Sequence, residues 1–144
     1  MKIISHRGNV NGKLVDRENT QYYIEEAISC GFDAEIDIWS IDGKFFLGHD
    51  EPTYLVEEEW IESRSSSLWI HAKNQEGLEI LVSNKNLNVF WHQTDKMTLT
   101  SKGFLWLYPG NYSKYGITVV LGEKENNKTT EMFGVCTDYP LSWR

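Results

Sequence analysis

The hydrophobic positions of this chain follow two different periods, which together predict alternating strands and helices. Short apolar runs bounded by Gly, Asn or Asp indicate strands, whereas Ile24, Ala27 and Ile28 follow the i, i+3, i+4 spacing of a helix face. A second helical face follows Asn74, a residue type that favours the N-cap position. The predicted strands are residues 2–6, 34–39, 44–47, 68–73, 89–92, 104–108, 117–121 and 135–137, and the predicted helices are residues 20–30, 56–64 and 75–84.

This alternation is typical of a parallel α/β domain with about seven strands in its main sheet. The dipeptide Asp42-Gly43 predicts a hairpin turn between two of the strands, and the polar tract 122–130 is predicted as a loop. A chain of 144 residues, of which 40 % are hydrophobic, fits one domain over residues 1–144 with a core of its own.

Strand parity separates polar from apolar side chains on three of the predicted strands. Because residues two apart on a strand share a face, residues 34, 36 and 38 form an apolar face, and so do residues 68, 70 and 72. The opposite faces carry Glu35 and Asp37 on the first of these strands and His71 and Lys73 on the second. On the strand at 104–108, Trp106 and Tyr108 share one face.

Charge limits the classes of partner that the surface can bind. The formal net charge is −7, and an acidic surface repels nucleic acids and anionic membranes, so we expect neither as a partner. A phosphate-bearing ligand therefore needs local positive charge. No apolar run approaches the roughly 18 residues of a membrane span, and the first predicted strand leaves no room for a signal peptide, so we expect a cytoplasmic protein.

Glu35 and Asp37 form a pair of hard oxygen ligands suited to Mg²⁺ or Ca²⁺. Two carboxylates on the same face repel each other unless a cation neutralises them. An internal cluster of ion pairs with Arg7 and Lys73 would satisfy the same charges without a metal, and both interpretations stay open at this point.

Four short motifs occupy the first fifty positions, and a fifth closes the chain. They are His6-Arg7-Gly8, Glu18-Asn19-Thr20, Glu35-Ile36-Asp37-Ile38, Gly48-His49-Asp50, and the G-x-x-T-D-x-P pattern at 134–140. In this order they resemble the glycerophosphodiester phosphodiesterase family. The resemblance implies a TIM-like (β/α) barrel, but a full barrel needs about 250 residues. We therefore expect a reduced or distorted barrel of about seven strands, with several helices shortened to loops.

The resemblance also implies roles for the residues of these motifs. His6 and His49 would be the catalytic acid and base, and an imidazole suits both roles near neutral pH. The motif Glu18-Asn19-Thr20 is expected to fix a loop and start a helix, and Glu18 is left without a firm role. The residues expected to bind or line the substrate are Arg7, Lys73, Trp106 and Tyr108.

The third metal ligand departs from the family pattern. Where the family carries an acid two residues before the lysine of its third barrel strand, this chain carries His71. The expected metal ligands are therefore Glu35, Asp37 and His71. The resemblance implies Mg or Ca, whereas the imidazole favours Mn or Zn.

These observations lead us to expect metal-dependent cleavage of a small phosphate diester, either by water or by internal attack that forms a cyclic phosphate. Two alternatives stay open: a non-catalytic barrel that binds a phosphorylated ligand, and a structural or partner-binding domain whose polar interior is an ion-pair network. A homodimer is one way to cover the barrel flank that shortened helices would expose.

Overall fold

A curled mixed sheet dominates the computed structural model, which describes residues 1–125 and 131–144. The strands are β1 (Lys2–His6), β2 (Asp33–Ile41), β3 (Lys44–Leu47), β4 (Tyr54–Val56), β5 (Leu68–Ala72), β6 (Val89–Phe90), β7 (Met97–Leu99), β8 (Leu105–Leu107), β9 (Ile117–Val119) and β10 (Gly134–Thr137). The helices are α1 (Gln21–Ser29), α2 (Glu58–Ser63), α3 (Gln75–Ser83) and α4 (Pro140–Trp143).

Eight of the strands form a half-barrel in the order β6-β5-β2-β1-β10-β9-β8-β7. Neighbours from β6 to β8 run parallel, and β7 is antiparallel to β8. Strands β3 and β4 form an antiparallel extension that pairs with the C-terminal half of β2. The two ends of the curl approach each other where Ser101 N donates to Val89 O at 2.7 Å.

The expected TIM-like (β/α) barrel is wrong. The described chain has four short helices, the longest of nine residues, rather than one helix after each parallel strand. For example, residues 108–116 join the parallel strands β8 and β9 without a helix, although such crossovers usually contain one. Among the described residues, no helix has the length and apolar character needed to cross a membrane.

Two apolar layers flank the sheet. The outer layer lies between the sheet and helices α1, α2 and α3, and includes Ile24, Ile36, Ile61, Ile70 and Leu81. The inner layer fills the curl with Ile4, Trp69, Phe90, Trp106, Ile117, Val119 and Cys136. Buried aromatic rings make up much of this inner layer, so the interior below the C-terminal strand ends is filled and apolar. The polar residues lie above this layer.

Local sequence patterns locate most of these elements. Strands β1 and β3 have the predicted bounds, and helices α1 and α3 lie inside the predicted ranges. Asp42 and Gly43 both have positive φ, as the predicted hairpin turn requires. The patterns missed β4, β7 and α4, which have only three or four residues each and are too short to show a period. Part of the predicted loop 122–130, residues 126–130, lies outside the described residues.

Candidate active site

A cavity of about 970 Å³ opens at the C-terminal ends of the parallel strands, above the inner apolar layer. Its lining contains all of the expected site residues except Asp37, which is fully buried behind Glu35 and His71. The expected residues in the lining are His6, Arg7, Glu35, His49, His71, Lys73, Trp106 and Tyr108. The curl of the sheet thus brings together these residues from five separate chain segments.

Glu35 and Asp37 lie on β2 between the ends of β1 and β5. In the strand register His6 pairs with Glu35, and Asp37 pairs with His71. Ligand atoms of Glu35, Asp37 and His71 lie within 4.8 Å of one another, which is close enough to hold one metal ion. Within the described chain, Glu35 Oε2 and Asp37 Oδ1 are buried and accept no hydrogen bond, an arrangement that is costly for a carboxylate.

The other oxygen of Asp37 is firmly held. Asn19 Nδ2 donates to Asp37 Oδ2 at 2.9 Å, and Asp37 N donates back to Asn19 Oδ1 at 3.0 Å. The Arg7 guanidinium is 3.2 Å from the same Oδ2. Burial alone would raise the pKa of Asp37, but the contact with His71 and the charge of Arg7 hold this pKa well below its usual range. Asp37 is therefore ionised even without a metal.

Glu35 behaves in the opposite way. Burial and the charge of the neighbouring Asp37 raise the pKa of Glu35 above its ordinary value. Its cationic neighbours are more distant, since His6 Nε2 and His71 Nδ1 each lie 3.9 Å from a Glu35 oxygen. The pKa of Glu35 is therefore shifted in the direction opposite to that of Asp37.

The hydrogen bonds of His71 decide which of its nitrogens faces the carboxylates. Its Nε2 lies 2.8 Å from the carbonyl oxygen of His92, so Nε2–H is the donor. The ring also stacks on Phe90, with 5.0 Å between the ring centroids. Nδ1 then faces Asp37 Oδ1 at 3.3 Å. With Nε2–H as the donor, Nδ1 is directed towards the carboxylates, the orientation that a metal-binding histidine needs.

His6 forms a carboxylate–histidine pair with a residue from the other end of the chain. Its Nδ1–H donates to Asp138 Oδ1 at 2.7 Å, and Nε2 faces Glu35. Burial opposes protonation, but the Asp138 hydrogen bond and the charge of Glu35 raise the pKa of His6 above its ordinary value. Burial also opposes ionisation of Asp138, yet its hydrogen bond from His6 lowers the pKa of Asp138.

Asn9 joins this pair to the loop that follows β1. It is fully buried, and its amide donates to Asp138 Oδ1 at 2.8 Å and to Glu18 Oε2 at 2.7 Å. Its Oδ1 accepts from the backbone of Leu14 at 3.1 Å. Asn9 therefore separates two carboxylates that would otherwise repel each other, and Glu18 helps to hold the site.

His49 lies in a different environment, on the loop between β3 and β4. Its side chain is 42 % exposed, and its Nδ1 is 2.7 Å from the Asp50 carboxylate. Partial burial and the positive charge of Arg7 lower the pKa of His49 below its ordinary value. The pKa values of His6 and His49, the two expected catalytic histidines, are therefore shifted in opposite directions.

Arg7 and Lys73 are the cations that face this cavity from β1 and from the end of β5. Arg7 contacts Glu18 at 3.6 Å in addition to Asp37, and Lys73 Nζ is 3.9 Å from Asp37 Oδ1. Part of the expected ion-pair cluster is thus present. Arg7 has a φ of 56°, a left-handed conformation that is uncommon for non-glycine residues.

Three residues of the network were not singled out from the sequence: Asn9, Asn19 and Asp138. Asn19 and Asp138 belong to two of the motifs named above. Their position inside those motifs was the signal that could have identified them from the sequence. Asn9 carries no pattern of its own. Comparisons of the chain with family models, with curated proteins and with solved structures find no match.

Proposed function

We propose that the protein is a metal-dependent phosphodiesterase that cleaves a small phosphate diester. The observation that carries the proposal is the pair of buried carboxylate oxygens, Glu35 Oε2 and Asp37 Oδ1, that accept no hydrogen bond within the described chain. Both oxygens belong to residues of the Glu35, Asp37 and His71 group, whose ligand atoms lie close enough together to hold one metal ion. A cation bound by this group would offset the charge of both buried carboxylates.

The donor set fits a divalent metal. Two carboxylates and one imidazole suit Mn²⁺ or Zn²⁺, and Mg²⁺ or Ca²⁺ can be held through the carboxylates. The hydrogen bond from His71 to the His92 carbonyl orients the ring, as the hydrogen-bond partners of metal-bound histidines usually do. When bound, the metal neutralises charge on the phosphoryl oxygens.

Arg7 and Lys73 supply further positive charge beside these ligands. Both side chains line the cavity and are partly exposed to it, at 15 % and 16 % respectively. A guanidinium matches two phosphate oxygens, and an ammonium acts as a point charge. In a protein of net charge −7, this local cluster is where a phosphate can bind.

The opposite pKa shifts of the histidines suit opposite roles. His6, whose pKa is raised through Asp138 and Glu35, is the general acid that protonates the leaving oxygen. His49, whose pKa is lowered, is the base that takes a proton from water or from a neighbouring hydroxyl of the substrate. Water gives a phosphate monoester, and an internal hydroxyl gives a cyclic phosphate.

A second candidate function is binding of a phosphorylated ligand without turnover. The contacts of Arg7 and Lys73 with Asp37 favour it, since ion pairs inside the site already satisfy part of the carboxylate charge. The two carboxylate oxygens without a hydrogen bond are compatible with both candidates, so only an assay of turnover separates the two functions.

Hydrolysis of bis(p-nitrophenyl) phosphate with Mn²⁺, Zn²⁺, Mg²⁺ or Ca²⁺ tests the proposal. We expect turnover that a chelator abolishes, and a loss of about 10²–10⁴-fold in His6→Ala and His49→Ala, the usual contribution of an acid or a base. The His6 effect should be smaller for p-nitrophenolate than for an alkoxide leaving group. Stoichiometric phosphate binding without turnover would support the second candidate instead.

Metal titration by calorimetry provides the matched control. Glu35→Gln and Asp37→Asn should abolish or strongly weaken metal binding. Asp33→Asn should preserve it, because Asp33 lies on the same strand but bonds to Lys2 and Trp69 outside the site. Equal metal binding by all three variants would contradict the assignment of the ligands.

A further inference from the structure

The cavity has two walls of unlike chemistry, and the proposed function uses mainly one of them. The β1, β2 and β5 side and the loop after β3 carry the charged residues described above. The β8 and β9 side carries an apolar surface, here called the apolar wall. It consists of Trp106, Tyr108, Pro109, Val119 and Leu121.

The apolar wall runs from the floor of the cavity to its rim. On β9 and just beyond it, Ile117 is fully buried, Val119 is 8 % exposed and Leu121 is 39 % exposed. On β8, Trp106 is 4 % exposed and Tyr108 is 39 % exposed. Trp106, Tyr108, Val119 and Leu121 all line the cavity, and their exposure increases from the strands to the residues beyond the strand ends.

This surface begins beside the proposed general acid. Only β10 separates β9 from β1, and the residue directly after β10 is Asp138, the partner of His6. A phosphate at the metal ligands would therefore have one ester arm directed towards charged groups and room for the other arm against Trp106 and Val119.

The size and composition of the cavity point to the same division. A volume of about 970 Å³ is at the upper end of the roughly 300–1,000 Å³ usual for ligand pockets. Apolar pocket surface favours apolar ligand groups, because their burial removes both surfaces from water. A diester with two short polar arms would leave this wall uncovered.

We propose that the phosphodiester bound here carries one apolar ester arm, which lies along Trp106, Tyr108, Val119 and Leu121. This inference rests on the proposed function, since the phosphate defines where the arm begins. The ligand class is a single-chain alkyl or aryl phosphodiester, and its second arm is polar and faces the loop that carries His49.

Binding of methyl, butyl and octyl phosphate, measured by calorimetry with Mn²⁺ and below micelle-forming concentrations, tests the apolar arm without requiring turnover. Burial of each methylene should tighten binding about fourfold until the wall is covered, because about 0.8 kcal/mol per CH₂ corresponds to that factor. Octyl glucoside, which has the chain but no phosphate, should bind far more weakly than octyl phosphate.

Rim variants locate the binding surface. Leu121→Ser and Tyr108→Ser should each reduce the ratio of octyl to methyl phosphate affinity by about tenfold or more. Leu141→Ser, a control of similar exposure on α4 outside the cavity lining, should leave the ratio unchanged. Because the ratio compares two ligands on the same variant, a loss of folded protein does not change it.

Three results would overturn the apolar arm: equal affinity for methyl and octyl phosphate, equal binding of octyl glucoside, or a ratio that neither rim variant changes. The proposed function is tested separately by metal-dependent turnover of bis(p-nitrophenyl) phosphate. A protein that turns over the diester but shows no chain-length dependence disproves the apolar arm and retains the phosphodiesterase.

Discussion

At the scale of single residues, the carboxylates of Asp138 and Glu35 both raise the pKa of His6, and Asp138 does so through a hydrogen bond. Asp138 Oδ1 accepts the His6 Nδ1 proton at 2.7 Å and is held in turn by Asn9. This contact fixes the tautomer, so that Nε2 faces Glu35 and the cavity. Asp138 is therefore a positioning residue that acts through His6.

The pH profile of Asp138→Asn tests this role. In the wild type, activity should fall as pH drops through the lowered pKa of His49, because the base becomes protonated. It should also fall as pH rises through the raised pKa of His6, because the acid loses its proton. Asp138→Asn removes the charge that raises the pKa of His6, so its alkaline limb should move to lower pH.

A steady-state pH series with an alkyl leaving group measures both limbs. The acidic limb is the internal control, because it belongs to His49 and should not move in Asp138→Asn. A uniform loss of activity with both limbs in place would mean that Asp138 only stabilises the fold.

The proposed ligand role of His71 predicts which metal the site should prefer. If its Nδ1 is a ligand, His71→Glu creates an all-oxygen site, and the preference should shift from Mn²⁺ or Zn²⁺ towards Mg²⁺ or Ca²⁺. His71→Ala should weaken the binding of every metal, but by less than Asp37→Ala, which removes a charge as well as a ligand. Calorimetric titration measures each affinity. If the wild-type protein prefers Mg²⁺ and His71→Ala binds Mg²⁺ with the same affinity, His71 is not a metal ligand.

At the scale of elements, the turn after β1 holds the site in place. Arg7 and Gly8 both have positive φ, and the Arg7 backbone bonds to Glu35 on one side and Asn19 on the other. A Cβ on Gly8 would lie 3.0 Å from the backbone carbon of Tyr23, at the start of α1. The turn thus packs against the helix and joins three of the motifs.

Alanine substitutions at two glycines separate the cost of backbone strain from the cost of a steric contact. Both Gly8 and Gly43 have positive φ, so Gly8→Ala and Gly43→Ala share a left-handed cost of roughly 1–2 kcal/mol. Only Gly8→Ala adds the contact with Tyr23, because no atom lies within 4 Å of a Cβ on Gly43. Urea unfolding should therefore show a larger loss of stability for Gly8→Ala. Equal losses would mean that the packing of this turn is loose.

At the scale of the whole molecule, the half-barrel has a flank that the helices cover unevenly. The principal helix contacts are with β1, β2, β5 and β6. On the opposite flank, Met97 is 47 % exposed and Leu99 is 61 % exposed. Apolar side chains on an edge strand favour association with another surface.

We expect this flank to be covered in a homodimer. Sedimentation equilibrium measures the oligomeric state directly. The wild type should have the mass of two chains of 16.7 kDa each. Leu99→Glu should have the mass of one, because a charge at the contact opposes its burial. Tyr22→Glu, a similarly exposed site on α1, should remain a dimer. A wild-type protein that stays monomeric at high concentration would contradict this prediction.

Local patterns in the sequence determine much of this protein. The bounds of β1 and β3 follow from short apolar runs between turn residues, and the turn at Asp42-Gly43 follows from residue types that accept positive φ. The period of two also places Glu35 and Asp37 on one face of β2. These features depend on neighbours within a few residues, so they can be read without knowledge of the fold.

The tertiary structure decided the rest. The expected barrel was wrong because residue patterns specify strands but not how far a sheet curls, or whether a helix follows each strand. The partner of His6 is Asp138, 132 positions away, and His71 is oriented by a backbone carbonyl of His92. Such contacts depend on strand order and on the closure of long loops, neither of which a local pattern contains.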